Sequence, residues 1–180
     1  MERGQFDAIF LADVIGLYGD YRGGWETYVR EGLQIPSNDP SVLISALAYA
    51  TDNLGLAFTS SIVQEHPFNF ARKVSTLDHL SKGRIAWNIV TNALANGSRN
   101  FGLDDLTEHD ERYSWAHEYL EVVYKLWEGS WEDDALLQDT ANGIHADPAK
   151  IHKIYHQGTI RWRILPAPEA DTLPNNSFFS

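Results

Sequence analysis

The sequence predicts an α/β fold built on a parallel sheet, and three observations predict it. Three short apolar runs, "FDAIFLAD" (6–13), "LGLAFTSSIV" (54–63) and "GRIAWNIVTN" (83–92), have the length of strands and are bounded by turn residues. Segments with helical spacing of apolar residues lie between them, so that strand candidates recur at intervals of roughly 30 residues or more, the rhythm of strand–helix–strand units with right-handed crossovers. Each run also ends in hydrogen-bonding side chains: Asp13, then Thr59, Ser60 and Ser61, then Asn88, Thr91 and Asn92. Parallel sheets and barrels bind ligands beyond the carboxyl ends of their strands, where side chains converge on a rigid frame. Any one polar strand end can instead serve only the backbone of the adjoining loop. Three at one edge point to a pocket.

Taken in order, the first strand candidate is followed by "YGDYRGGWETYVREGLQIPSNDP" (18–40), which reads as a long polar, Gly-rich connection. In "DPSVLISALAYATDN" (39–53) Asp39 suits an N-cap, Pro40 suits a first helical position, and apolar residues recur at helical spacing. After the second strand, "HPFNFARKVSTLDHLSKG" (66–83) repeats the plan: Pro67 near the start, Phe70, Val74, Leu77 and Leu80 on one apolar face, and Gly83 as a stop. His66, just before Pro67, reads as a loop or cap residue. The third strand candidate is a nearly continuous apolar run, which suits a strand covered on both faces. "ALANGSRNFGLDDLTEHDE" (93–111) is loop-like, and "RYSWAHEYLEVVYKLWEG" (112–129) is an amphipathic helix beginning near Tyr113, with Trp115, Tyr119 and Trp127 most simply in the core. Asp110 and Glu111 suit the positive end of that helix. From "SWEDDALLQD" (130–139) onward the periodicity weakens.

Composition narrows the function classes. With 180 residues, 43% of them hydrophobic, the chain can bury a core. The net charge of -11 is spread without blocks, which argues against nucleic acid or an anionic membrane as a partner and leaves small molecules and proteins. Without cysteine there is no disulfide framework and no thiolate metal site. No apolar stretch approaches the roughly 20 residues of a membrane span, and the charged N-terminus does not suit a signal peptide. The expectation is a soluble, cytoplasmic protein. Glu108, His109 and Asp110 are adjacent at a helix start and do not converge on one point, so no metal site is expected.

Four segments, "ERGQFDAIFLAD", "LGLAFTSSIVQEHPFNFARKVSTLDHLSKGRIAWNIVTN", "RNFGLDDLTEHDERYSWAHEYLEVVYKLW" and "DPAKIHKIYHQG", resemble the flavin-dependent monooxygenases of the bacterial luciferase-like family. Within it, the chain resembles the subgroup of nitrilotriacetate monooxygenase component A and the dibenzothiophene-sulfone monooxygenases. The resemblance runs from about residue 2 to residue 158 and implies a (β/α)8 TIM barrel. It implies reduced FMN as cofactor, O2 as co-substrate, a small organic substrate, a separate NAD(P)H:flavin reductase as partner, and a homo-oligomer as an option. Carried over position by position, it implies that Asp13, Thr59, His109 and Tyr113 contact FMN, with Asn88 as a further pocket residue. The residue types suit a flavin, since amides and hydroxyls can meet the carbonyls and ring nitrogens of an isoalloxazine, and His109 and Tyr113 can donate to a phosphate. The catalytic residues and the substrate are not named by these motifs.

A (β/α)8 barrel takes about 250 residues. The expectation is therefore a partial barrel of about three to four β/α units, incomplete at both ends, spanning residues 1–158. Residues 159–180, "TIRWRILPAPEADTLPNNSFFS", do not align with the family pattern and read as an irregular tail of the kind an erroneous gene model produces. The alternative to a working monooxygenase is a truncated remnant, catalytically dead, that serves as an interaction module.

Overall fold

The computed structural model describes residues 1–158, and the expected tail at 159–180 lies outside the described residues. Strands β1 (Ala8–Leu11), β2 (Gly55–Ser61) and β3 (Ile85–Val90) form one sheet in the order β1-β2-β3, every neighbouring pair parallel, as the sequence predicts. Among the described residues five α-helices accompany them: α1 (Trp25–Glu31), α2 (Pro40–Ala50), α3 (Pro67–Ser81), α4 (Ala95–Asn100) and α5 (His109–Glu128). A small antiparallel pair, β4 (Leu136–Asp139) and β5 (Ile144–Ala146), follows.

The helix boundaries follow from local chemistry. Asp39 Oδ1 accepts from the Ser41 N–H at 2.8 Å and Pro40 opens α2, which satisfies a backbone donor that the first turn otherwise leaves orphaned. Helix α3 ends where Lys82 and Gly83 turn left-handed, φ 56° and 77°, and their N–H groups return to carbonyls of the last turn. Phe70, Val74 and Leu77 are buried as expected, but Leu80 is 53% exposed. The buried stripe steps by four, three and four residues, so its next position is Ser81, fully buried, and Leu80 falls to one side.

One sheet face is covered and the other is not. Ile9, Leu11, Leu56, Phe58, Ile85 and Trp87 pack with Ile44 of α2, Phe70, Val74 and Leu77 of α3, and Tyr119 and Val123 of α5. Tyr119 is fully buried and Trp115 and Trp127 pack against this core, as their helical spacing implies. Side chains of the opposite parity on β1 and β3, namely Ala8, Phe10, Ala86 and Asn88, are exposed, whereas Thr59 and Ser61 of the same parity on the central β2 are buried. The reading of β3 as a strand covered on both faces is thus corrected: an apolar run reports that both faces can be covered, and among the described residues only one is. Two helices also escape the sequence reading. Helix α1 lies within the stretch read as a polar connection and α4 within the stretch read as a loop, because both are short and neither carries an apolar stripe of two full turns. Helix α5 starts at His109, earlier than expected, with Asp110 and Glu111 inside its first turn.

His66 caps α3: its Nδ1 accepts from the Phe68 N–H at 3.2 Å, and burial holds the imidazole below its ordinary value of 6.5. A ring protonated on both nitrogens cannot accept that hydrogen bond. Because the folded value is the depressed one, the cap contributes fully above 6.5 and is lost as pH falls through the lower folded value. The urea midpoint is expected to drop between about pH 7 and about pH 5, and that drop should shrink in His66→Asn, whose amide oxygen caps at either pH. Superimposable pH profiles for the two proteins would count against the cap.

Candidate functional site

The carboxyl edge of the sheet collects three of the five expected residues. Thr59 and Asn88 are register partners on β2 and β3, and Asn88 Nδ2 donates to Thr59 Oγ1 at 3.1 Å. Thr59 is only 4% exposed. The Thr59 hydroxyl thus serves as acceptor to its neighbour and keeps its own proton to donate. Further along β2, Ser61 Oγ is buried with no hydrogen-bond partner among the described residues, a state that costs free energy until a donor or acceptor arrives.

Asp13 stands just beyond the end of β1 and is joined to β2 through Gln64. Gln64 Nε2 donates to Asp13 Oδ2 at 3.1 Å, while Gln64 Oε1 accepts from Ser60 Oγ at 2.9 Å and from the Ser61 N–H at 2.5 Å. The other oxygen, Asp13 Oδ1, accepts from Ser37 Oγ at 3.2 Å. Sequence reasoning did not single out Gln64. Its signal was its position, three residues past the second strand's run of hydroxyls, where a side chain can fold back onto the strand end.

His109 and Tyr113 form a second group. They stand one turn apart on α5, with ring centroids 4.8 Å apart, and His109 Nδ1 lies 2.9 Å from Asp110 Oδ1. That contact leaves Nε2 for a ligand, as a donor once the ring carries both protons. Tyr113 is 58% exposed. Neither His109 nor Tyr113 is bonded to Asp13, Thr59 or Asn88, whose partners are Gln64, Ser37 and each other, so the five residues fall into two clusters. Arg112, next to Tyr113 on α5, ties that helix to the loop after β3: its guanidinium Nη1 donates to the Asn92 main-chain oxygen, and its buried Nε has no partner among the described residues.

Loop packing fixes how these edges meet. Asn92 adopts φ 63°, and its side chain binds the Ala93 and Leu94 N–H groups, the Leu94 carbonyl and Ser98 Oγ. Asn92 therefore folds its own loop, the bland role that any polar strand end can take. Asn96 Nδ2 donates to the Leu17 carbonyl at 2.6 Å and Asn100 Nδ2 to the Ile15 carbonyl at 2.9 Å, which fastens the loop after β1 onto α4. Gly16 is required there: a Cβ would lie 2.2 Å from Asn96 Oδ1. The segments that follow β1 and β3 thus form one rigid rim beside Asp13 and Asn88.

The sequence model of the luciferase-like monooxygenase family matches residues 1–174. Curated relatives include long-chain alkane monooxygenase of Geobacillus thermodenitrificans, 58% identical over 168 residues, which are 93% of this chain and 38% of the relative. Dibenzothiophene-sulfone monooxygenase of Rhodococcus erythropolis is 43% identical over 88% of this chain and 35% of its own length. Nitrilotriacetate monooxygenase component A of Aminobacter aminovorans is 38% identical over 87% of this chain and 35% of its own. Among solved structures, a crystal structure of long-chain alkane monooxygenase superposes with a TM-score of 0.83 at 58% identity, covering 88% of this chain and 36% of that one. A riboflavin lyase with modified FMN and riboflavin superposes with a TM-score of 0.77 at 47% identity, covering 86% of this chain and 34% of that one. The chain therefore spans between 35% and 38% of the length of these curated relatives.

Proposed function

The chain belongs to the luciferase-like monooxygenase family, and from that premise we propose that it is the FMN-binding part of a two-component monooxygenase acting on a small organic substrate. In this reading the three-stranded sheet is one sector of a partial (β/α)8 barrel, residues 1–158 are the domain, and a separate reductase delivers reduced flavin in the cytoplasm. Among the described residues no helix is long and apolar enough to cross a membrane. The observation that carries the proposal is the cluster at the carboxyl edge: Thr59 with its hydroxyl proton unassigned, Asn88 beside it, Asp13 held nearby, and Ser61 Oγ buried and unpartnered among the described residues.

These residues fit a flavin by the chemistry of their donors and acceptors. An isoalloxazine edge presents carbonyls that need donors and an N–H that needs an acceptor; Thr59, Ser61 and Asn88 offer the first and the Asp13 carboxylate the second. Reduced FMN, when bound, supplies the electrons and the site at which O2 reacts. The chain's own residues would bind and orient the ring and limit the access of water to it. His109 and Tyr113, at the positive end of α5, would meet the phosphate.

Titration of the 180-residue chain with FMN and reduced FMN, with circular dichroism to follow folding, tests the reading. Saturable binding is expected, and Asp13→Ala and Thr59→Ala should each weaken it by about tenfold, the cost of leaving a buried polar partner unpaired. Unchanged affinity in both variants would remove the site assignment, and a folded chain without saturable binding would remove the function. One observation favours a second reading, an interaction module without catalysis: β1 and β3 each keep an unpaired edge among the described residues, and Phe10 on the open face is 58% exposed. Self-association at micromolar concentration together with absent flavin binding would select it.

A further inference from the structure

We infer that Gln64 is a positioning residue, holding the Asp13 carboxylate in place for the flavin at the carboxyl edge; the inference rests on the FMN reading above. Its geometry admits one orientation. The Ser61 backbone nitrogen can only donate, so the Gln64 atom 2.5 Å from it is the amide oxygen; a carboxylate can only accept, so the Gln64 atom 3.1 Å from Asp13 Oδ2 is the amide nitrogen. The Ser60 hydroxyl at 2.9 Å fills the second acceptor position of that oxygen. The side chain is thus fixed at one end by β2, a strand, and grips at the other a residue that lies in a loop.

Asp13 needs such a grip because it lies beyond Leu11, the last residue of β1, where the sheet no longer determines its direction. Ser37, its other partner, belongs to the exposed connection ahead of α2 and contacts Oδ1 at 3.2 Å. Of the two attachments, only Gln64 transmits the position of the sheet. Two lone-pair sites of the carboxylate are occupied by Gln64 and Ser37, which leaves the remainder for a ligand donor.

The test is the pH dependence of FMN affinity in Gln64→Glu. This variant keeps the acceptor for Ser60 and Ser61 and so keeps the strand end, but it replaces the N–H that faces Asp13 by a second carboxylate oxygen. Two carboxylates at hydrogen-bond distance cannot both stay ionised without cost, and one shared proton restores the contact. Compared with the wild-type chain at the same pH, which cancels any pH dependence of the His109–phosphate contact, affinity should be about tenfold weaker near pH 8 and close to wild type near pH 5. Gln64→Met, which can neither donate nor accept, should be weaker by a similar factor at both values, and in an Asp13→Asn background it should have little further effect. Circular dichroism accompanies each variant, and Gln64→Glu keeps the role open to refutation if Gln64→Met unfolds. Wild-type affinity and pH profile in Gln64→Glu would overturn the role of Gln64 and leave the FMN reading standing. Absence of flavin binding in the wild-type chain would overturn both.

Discussion

Phe70→Ala is expected to destabilise the chain by about 4 kcal/mol, because it removes a fully buried aromatic side chain and leaves a cavity that rigid neighbours cannot collapse. Phe70 is 1% exposed and sits at the centre of an aromatic cluster: its ring centroid lies 4.3 Å from Trp87, 5.8 Å from Tyr119 and 6.5 Å from Phe58. These four residues come from α3, β3, α5 and β2, so one side chain joins the sheet to two helices. Burial alone accounts for about 2–3 kcal/mol of the effect, and the lost ring contacts and the cavity supply the rest. Phe70→Leu keeps most of the volume and should cost about 1 kcal/mol. Urea unfolding monitored by circular dichroism measures both. A loss under about 1 kcal/mol for Phe70→Ala would mean that the helical layer is not a packed core.

The same cluster shows why part of the fold was legible in the sequence. Phe70, Val74 and Leu77 repeat at helical spacing, Phe58 and Leu56 alternate along a strand, and Asp39–Pro40 and His66–Pro67 mark helix starts by the donors they satisfy. Each of these signals is local, so one chain suffices to read it. The parallel order followed from the crossovers, since strands separated by a helix cannot pair as a hairpin. Helices α1 and α4 were missed because they are seven and six residues long and carry no long apolar stripe; α4 is held by contacts to a distant loop, such as Asn96 to Leu17, and α1 by bonds to its own leading turn, such as Thr27 to the Arg22 carbonyl. The β4–β5 pair was missed for the same reason: four and three residues carry no measurable alternation.

For the site, residue types could be read but connections could not. Asp13, Thr59 and Asn88 were recognisable as polar groups at strand ends, and the register that places Thr59 against Asn88 could not be derived from either segment alone. Asn92, equally polar and equally placed, turned inward to its own loop. Nothing in composition distinguishes it from Asn88; the left-handed backbone at Asn92 does. The division of the five residues into a sheet-edge cluster and the His109–Tyr113 pair likewise depends on where α5 begins, which the periodicity placed a turn late.

At the amino edge of the sheet the Arg84 side chain joins two helix ends to the turn into β2, and replacing it should separate stability from binding. The Arg84 guanidinium makes five hydrogen bonds: Nε to the Ser81 carbonyl at 2.7 Å, Nη1 to the Leu54 carbonyl at 2.8 Å and Thr51 Oγ1 at 2.9 Å, and Nη2 to the Ala48 and Thr51 carbonyls at 3.0 and 2.9 Å. It thereby closes the end of α2, the end of α3 and the turn into β2 from the first residue ahead of β3. Carbonyls at helix ends need such donors, and a charged donor suits the negative end of the helix dipole. Arg84→Ala is expected to cost about 3 kcal/mol, less than the sum of five charge-assisted bonds because the site is only partly buried and water re-solvates the freed carbonyls. Arg84→Lys should recover no more than about 1 kcal/mol, since an ammonium is a point and cannot span acceptors arranged for a planar fork. FMN affinity of the folded fraction should stay within about twofold of wild type in both variants, because the proposed site lies at the opposite, carboxyl edge of the strands. A large loss of affinity with stability unchanged would reverse the assignment of the two edges, with the ligand at the amino end and the polar cluster of Asp13, Thr59 and Asn88 left as loop support.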